Sequence, residues 1–133
     1  ELPENWTYPL IQPKLIEKYL WIKSNSIVGA TVTVTVDRPL GSYHPEYKDM
    51  YYPINYGYIE GVMAPDGEEQ DAYILGVNKP VGKFTGKIIA IVHRKDDIEE
   101  KWVVVPDGMM FSKDEIRQQL HFQEQYFDSE IVM

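Results

Sequence analysis

The chain contains no cysteine, which excludes disulfide staples, thiolate zinc sites and cysteine nucleophiles. It is also short of positive charge. Thirteen Lys and Arg stand against 21 Asp and Glu, a formal net charge of −8, and this balance opposes attraction to nucleic acid or to an anionic membrane. Apolar runs extend over only a few residues, far below the roughly 20 that a membrane-spanning helix needs. No serine sits in a Gly-x-Ser-x-Gly elbow. His44, His93 and His121 are scattered without the spacing of a zinc motif. The expectation is a soluble cytoplasmic protein with no nucleic-acid or membrane partner.

What the chain does have is core material and acid. A hydrophobic fraction of 44% with ten tyrosines in 133 residues supports one packed globular domain. An acidic protein that handles an anion must reverse its charge locally, and bound cations do this directly.

The pattern along the chain predicts a β-rich fold with a helix near each end. Pro13 suits the first turn of a helix reaching about Lys23, with Leu15, Ile16, Tyr19, Leu20 and Ile22 at helical spacing. Residues 1–27 therefore read as an N-terminal extension with a short helix, ahead of a barrel domain over 28–133. From Val28 to Val36 the pattern alternates strictly, Val32, Val34 and Val36 on one face and Thr31, Thr33 and Thr35 on the other, which is a half-buried strand. Further strands are expected at Met50–Tyr52, Tyr56–Val62, Ala72–Val77, Lys87–His93 and Lys101–Val105. Ser112 and Glu115 have capping-box spacing before a helix carrying Ile116, Leu120 and Phe127. The fold class that follows is mainly β with flanking helices (α+β), as a small antiparallel barrel of about five strands.

Three features carry candidate chemistry. Asp66, Glu68 and Asp71 lie at a Pro65-Asp66-Gly67 turn and at the start of the strand it feeds. Oxygen-only ligands of this kind suit magnesium, manganese or calcium, although solvated acids beside a turn are also commonplace. Asp96, Asp97, Glu99 and Glu100 form a second acidic group in a hairpin loop before Lys101; read alone, it is a solvated face. The third feature is Tyr52-Pro53-Ile54-Asn55-Tyr56-Gly57-Tyr58-Ile59, either aromatic core packing at a strand corner or a source of a phenol for phosphate.

Taken in this order, the three features resemble the soluble family I inorganic pyrophosphatases. Tyr56 matches the family tyrosine that faces phosphate. Asp66-Gly67-Glu68-Glu69-Gln70-Asp71 is similar to the Asp-x-Asp-x-x-Asp signature whose acids serve the metal site. Glu99-Glu100-Lys101 matches an acid, a spacer and a phosphate-contacting lysine. Asp37 stands near a family glutamate, and Tyr126 resembles the C-terminal active-site tyrosine.

The resemblance implies an OB-like five-stranded antiparallel barrel, Mg2+ as cofactor, inorganic pyrophosphate or a related phosphoanhydride as substrate, and a homo-oligomer. It assigns Asp66, Glu68, Asp71, Asp97 and Glu99 to metal, Asp97 being preferred over Asp96. Tyr56, Lys101, Tyr126 and Asp37 fall to substrate, and Glu68, Lys101 and Tyr56 to catalysis by direct attack of an activated water. Glu68 replaces an aspartate of the signature. Phe127 stands where the family has lysine, and the family lysine and arginine before the tyrosine segment have no clear counterparts around His44, Pro45 and Lys48. Arg38, Lys48, Arg94 and Lys95 are candidates to compensate. The alternatives are a hydrolase of another diphosphate or phosphate ester, or a catalytically weak metal-binding barrel.

Overall fold

The computed structural model describes residues 13–95 and 99–133. Helix α1 (Pro13–Ile27) leads into strands β1 (Thr31–Arg38), β2 (Asn55–Met63), β3 (Glu69–Ile74), β4 (Lys83–Arg94) and β5 (Glu100–Val105). Helix α2 (Lys113–Glu124) and strand β6 (Ser129–Val132) follow. The strands are ordered β1-β2-β3-β5-β4-β6, and β1 also pairs with β4. That last pairing closes the first five strands into the expected OB-like barrel and leaves β6 as an added strand on β4.

Not every pairing is antiparallel. β3 and β5 run parallel, with Asp71 opposite Lys101 and Tyr73 opposite Val103. The long β4 crosses between them in sequence, which makes the parallel pairing possible without a helical crossover. Boundaries shift as well. α1 continues past Lys23 to Ile27, its polar last turn satisfied by Ser24, Asn25 and Ser26 bonding back to the carbonyls of Trp21 and Ile22. The expected strand at Met50–Tyr52 is reduced to one bridge between Tyr43 and Tyr51, and β4 begins at Lys83. Phe127 lies beyond the end of α2. β6 was not expected, because four residues carry too little periodicity to register.

The strict alternation in β1 does its predicted work. Val34 is fully buried, and Val32 and Val36 pack on the same cluster as Ile59, Ala72, Ile74, Ile88, Ile91, Trp102 and Val104. These residues come from all five barrel strands and fill the barrel interior. A second cluster unites Tyr56, Tyr73, Val92, Val103 and Val105 with Ile116 and Leu120 of α2, so α2 covers one outer face of the barrel. Alternation along β5 thus sends Trp102 and Val104 inward and Val103 and Val105 toward α2. The capping box foreseen at Ser112 and Glu115 is present and starts α2 on that face. α1 is tied to the barrel by Lys23, whose Nζ lies 2.6 Å from Oε1 of the fully buried Glu100 side chain.

Gly57 shows how tightly β1 and β2 approach. A Cβ there would stand 1.9 Å from the Thr35 carbonyl oxygen, and the next nearest atoms are also β1 backbone, which leaves nothing flexible to yield. We expect Gly57→Ala to destabilise the protein by about 1–3 kcal/mol, the usual range for overpacking, read as a lower urea midpoint at unchanged slope. A midpoint equal to wild type contradicts the close packing of these strands.

Candidate active site

The parallel register of β3 and β5 sets Asp71 beside Lys101, and the antiparallel register of β2 and β3 sets Tyr56 beside Tyr73. Pleating turns these side chains onto the α2-covered face. Lys101 is only 6% exposed, and its Nζ lies 2.6 Å from Asp71 Oδ2 and 2.7 Å from Glu99 Oε2. It also donates to the Tyr56 hydroxyl at 2.9 Å. An ammonium has three donors, so all three are engaged.

Electrostatics follow from this packing. Burial acts to lower the Lys101 pKa, but Tyr56, Asp71 and the hydrogen bonds to Asp71 and Glu99 outweigh it and hold the group above its ordinary value. Burial raises the Tyr56 phenol strongly, and the nearby Lys101 only partly offsets it. Lysine stays charged and tyrosine stays protonated over the physiological range.

A second cation stands next to the first. Arg94, at the end of β4, donates from Nε and Nη2 to the two oxygens of Glu124 on α2 at 3.1 and 2.9 Å. Its Nη1 lies 3.7 Å from Glu99 Oε2, too far for a hydrogen bond but close enough for charge attraction. Glu124 also accepts from Ser129 Oγ at 2.6 Å and from the Tyr73 hydroxyl. Tyr73 in turn accepts from Gln123 Nε2 at 2.7 Å, Gln123 Oε1 accepts from the Tyr52 hydroxyl at 2.9 Å, and Tyr52 accepts from Arg38 Nη1 at 2.9 Å. An unbroken polar chain therefore runs from Arg38 through α2 to Arg94, and Glu99 connects it to Lys101.

The structure thus brings Tyr56, Asp71, Glu99 and Lys101 together. Asp37 stands at the end of β1 within reach of the Asp71 charge. Burial raises its pKa, Arg38 lowers it, and Asp71 raises it further. Asp66 and Glu68 are exposed on the β2–β3 turn, where Asp66 Oδ1 accepts from the Glu68 amide at 3.0 Å and Gly67 adopts a φ of +86°. No bond joins either carboxylate to Lys101 among the described residues. Asp97 lies outside the described residues. Tyr126 is 67% exposed and lines a groove with Tyr47, Asp49, Met50 and Phe127. Sequence reasoning gave no role to Glu124, Gln123 or Tyr73, and it took Tyr52 only as part of the aromatic segment. The one available signal was that a buried arginine after an apolar strand needs a carboxylate, and Glu124 reaches it only through the packing of α2.

Among the described residues, no three acidic or histidine side chains converge closely enough to hold an ion by themselves. The donors nevertheless fit a hard divalent cation. Asp37 lies within reach of the Asp71 charge, which adds to the upward shift that burial causes, and all the oxygens are of the hard type. Magnesium is commonly held by one or two carboxylates, completing its shell with water and substrate phosphate.

A family model described as inorganic pyrophosphatase matches residues 26–128. The chain is 29% identical over 103 residues to an inorganic pyrophosphatase of Halalkalibacterium halodurans, covering 72% of this chain and 61% of that protein's length. Among solved structures it is similar to an inorganic pyrophosphatase from Ehrlichia chaffeensis, with a TM-score of 0.58, 19% identity, and 78% of this chain and 88% of that chain covered. A second similar structure, an inorganic pyrophosphatase from Neisseria gonorrhoeae, has a TM-score of 0.57 at 19% identity, with 74% of each chain covered.

The Glu124 centre makes stability depend on pH. Burial pushes its pKa up, but bonds from Arg94, Ser129 and Tyr73 outweigh this and leave it below the ordinary 4.5. A depressed carboxylate contributes stability that is present above 4.5 and is lost as pH falls through the folded-state value. Denaturation midpoints measured from pH 7 downward should fall below about pH 4.5, and Glu124→Gln should lower the pH 7 midpoint while flattening that acid limb. An unchanged acid limb in the variant contradicts the assignment.

Proposed function

Because the chain belongs to the inorganic pyrophosphatase family, we propose that it hydrolyses inorganic pyrophosphate to two phosphates with Mg2+, by direct attack of water on phosphorus. The observation that carries this reading is the buried Lys101 ammonium, held by Asp71, Glu99 and Tyr56. Since the chain spans 61% of the curated relative's length, activity is inferred for the residues present here.

Asp66, Glu68, Asp71, Asp97 and Glu99 are the carboxylates that would hold divalent metal, and Asp37 would face the substrate. Bound there, such an ion supplies Lewis-acid charge at a phosphoryl oxygen and a water of lowered pKa. The chain's own groups do the rest. Tyr56 accepts from Lys101 and keeps its own proton to donate to a phosphate oxygen. Lys101 remains cationic, and when Asp71 turns its Oδ2 away, one Nζ–H becomes available to the same phosphate. Arg38 and Arg94 stand in place of the basic residues that the family resemblance leaves unmatched. Glu68 would orient the attacking water and take its proton. As the water oxygen bonds to phosphorus, the bridging P–O bond breaks and its electron pair leaves with the departing phosphate. Tyr126 contacts the substrate from the α2 side.

The same reading includes a homo-oligomer, supported by the exposed Trp21, Tyr43 and Tyr51, and a cytoplasmic location, with which the lack of cysteine is consistent. The test is a magnesium titration of phosphate release from pyrophosphate, with calcium as competitor. Release should require magnesium and fall with calcium, and release that is independent of metal or absent altogether contradicts the reading. Asp71→Asn should lower kcat by about 10²–10³, the cost typical of losing one charge-stabilising contact, with the thermal midpoint kept. Turnover near wild type refutes the role given to Asp71.

A further inference from the structure

Pleating gives the Asp71–Lys101 pair a reverse side. Asp71 and Lys101 are register partners on neighbouring strands and face one way, so the residues just before them, Gln70 and Glu100, face the other. That is the side on which Ala72 and Trp102 fill the barrel interior. Gln70 and Glu100 are both buried, where an amide and a carboxylate are costly unless hydrogen bonds and a countercharge compensate. Neither takes part in the hydrolysis described above.

The Gln70 amide is spent on backbone. Its Nε2 donates to the Glu100 carbonyl at 2.8 Å and to the Asp71 carbonyl at 3.0 Å. Two carbonyl acceptors fix which end of the amide carries the nitrogen, since an amide oxygen there would meet two other oxygens. β3 begins at Glu69 and β5 at Glu100, so this bridge lies at the end of the parallel ladder, beside its first register pair, Asp71 and Lys101. Element ends open more readily than their centres, and a side-chain bond across both strands resists that. One bridged carbonyl belongs to Asp71 itself, and the other is joined directly to the Lys101 nitrogen. Glu99, the second carboxylate on the ammonium, is the residue on the far side of Glu100.

Glu100 is gripped from a further direction. Its Oε1 accepts from Lys23 Nζ at 2.6 Å. Lys23 also donates to the Tyr19 hydroxyl at 3.0 Å and stands 5.9 Å from the Trp102 ring centroid. Burial acts to lower the Lys23 pKa, but the bonds to Glu100 and Tyr19 outweigh it, so the countercharge persists at neutral pH. Helix α1 therefore bears on β5 at the one residue that separates Glu99 from Lys101.

We propose that Gln70 and Glu100, the latter held by Lys23, are positioning residues that clamp β3 to β5 from behind and set Asp71, Glu99 and Lys101 at the separations that catalysis uses. The inference rests on the hydrolytic reading and adds to it residues that touch neither substrate nor metal. Without the Gln70 bridge the start of β5 is free to move against β3, and the Asp71–Lys101 contact moves with it. Without Lys23 the buried Glu100 carboxylate loses its countercharge and pulls on the same stretch of β5. Alignment of reacting groups matters most in the transition state, so the loss falls on kcat rather than on KM.

Gln70→Met, which removes both donors at nearly constant volume, and Lys23→Met test this on the full chain, well below each thermal midpoint. The readouts are the NMR signal of Lys101 Nζ in metal-free protein, and kcat and KM for phosphate release from pyrophosphate with magnesium. Both variants should shift the Nζ signal and lower kcat, Gln70→Met by about 10²-fold, the scale of a misplacement of about 1 Å, with KM little changed. Lower thermal midpoints with the Nζ signal and kcat both as in wild type overturn the inference, because the two residues then serve the fold alone. A change confined to KM, or to only one of the two readouts, overturns it as well. Should Gln70→Met not fold, Lys23→Met decides by the same criteria. If wild type releases no phosphate from pyrophosphate, the hydrolytic reading fails and the Nζ signal decides the clamp separately: shifted in the variants, the clamp on the ion pair stands, and unshifted, it is refuted.

Discussion

Everything at this site depends on how one buried ammonium is balanced. Lys101 gives its three donors to Asp71, Glu99 and Tyr56, so its positive charge is already matched by two carboxylates before any ligand arrives. Taking charges out of water costs several kcal/mol per ion unless partners and hydrogen bonds compensate, and here the partners are complete. Such a centre is stable but closed. To serve an anion it must exchange a carboxylate for phosphate, and the displaced carboxylate needs a new countercharge. In the proposed reading a divalent cation would meet that need and would couple metal binding to substrate binding through a single side chain.

The rest of the fold holds that balance in place. Parallel pairing of β3 with β5 fixes Asp71 against Lys101, and α2 brings Glu124 onto Arg94 and Gln123 between Tyr52 and Tyr73. These are side-chain bonds between elements far apart in sequence, buried where each missing partner costs more than it does in water. α2 therefore does two things at once. Its apolar residues Ile116 and Leu120 complete the outer core, and its polar end sets the position of the arginine that flanks the site.

Much of this was legible in the residues. The alternation of Val32, Val34 and Val36 foretold a half-buried strand, and the capping box at Ser112 foretold α2. Asp71 and Lys101 were singled out by acid clusters and by likeness to a family motif, and strand register makes their meeting a local consequence of pairing. Glu124 was not visible. It sits three residues beyond His121 on a polar stripe, and only the packing of α2 against β4 gives it a cation. The parallel pairing of β3 and β5 escaped for a related reason: periodicity reports which face a residue takes, not which strand lies next to it. The turn acids Asp66 and Glu68 are the reverse case, prominent in the sequence yet without a bond to Lys101 among the described residues.

The central claim is that Lys101 shares its carboxylates with a divalent cation. The most direct measurement follows the Lys101 side-chain nitrogen by NMR while magnesium is titrated, first alone and then with phosphate. The account predicts a saturable shift of the Nζ signal with magnesium and a further shift when phosphate follows. A signal that stays fixed through both titrations contradicts it, because the ammonium is then a closed structural ion pair with no part in ligand exchange.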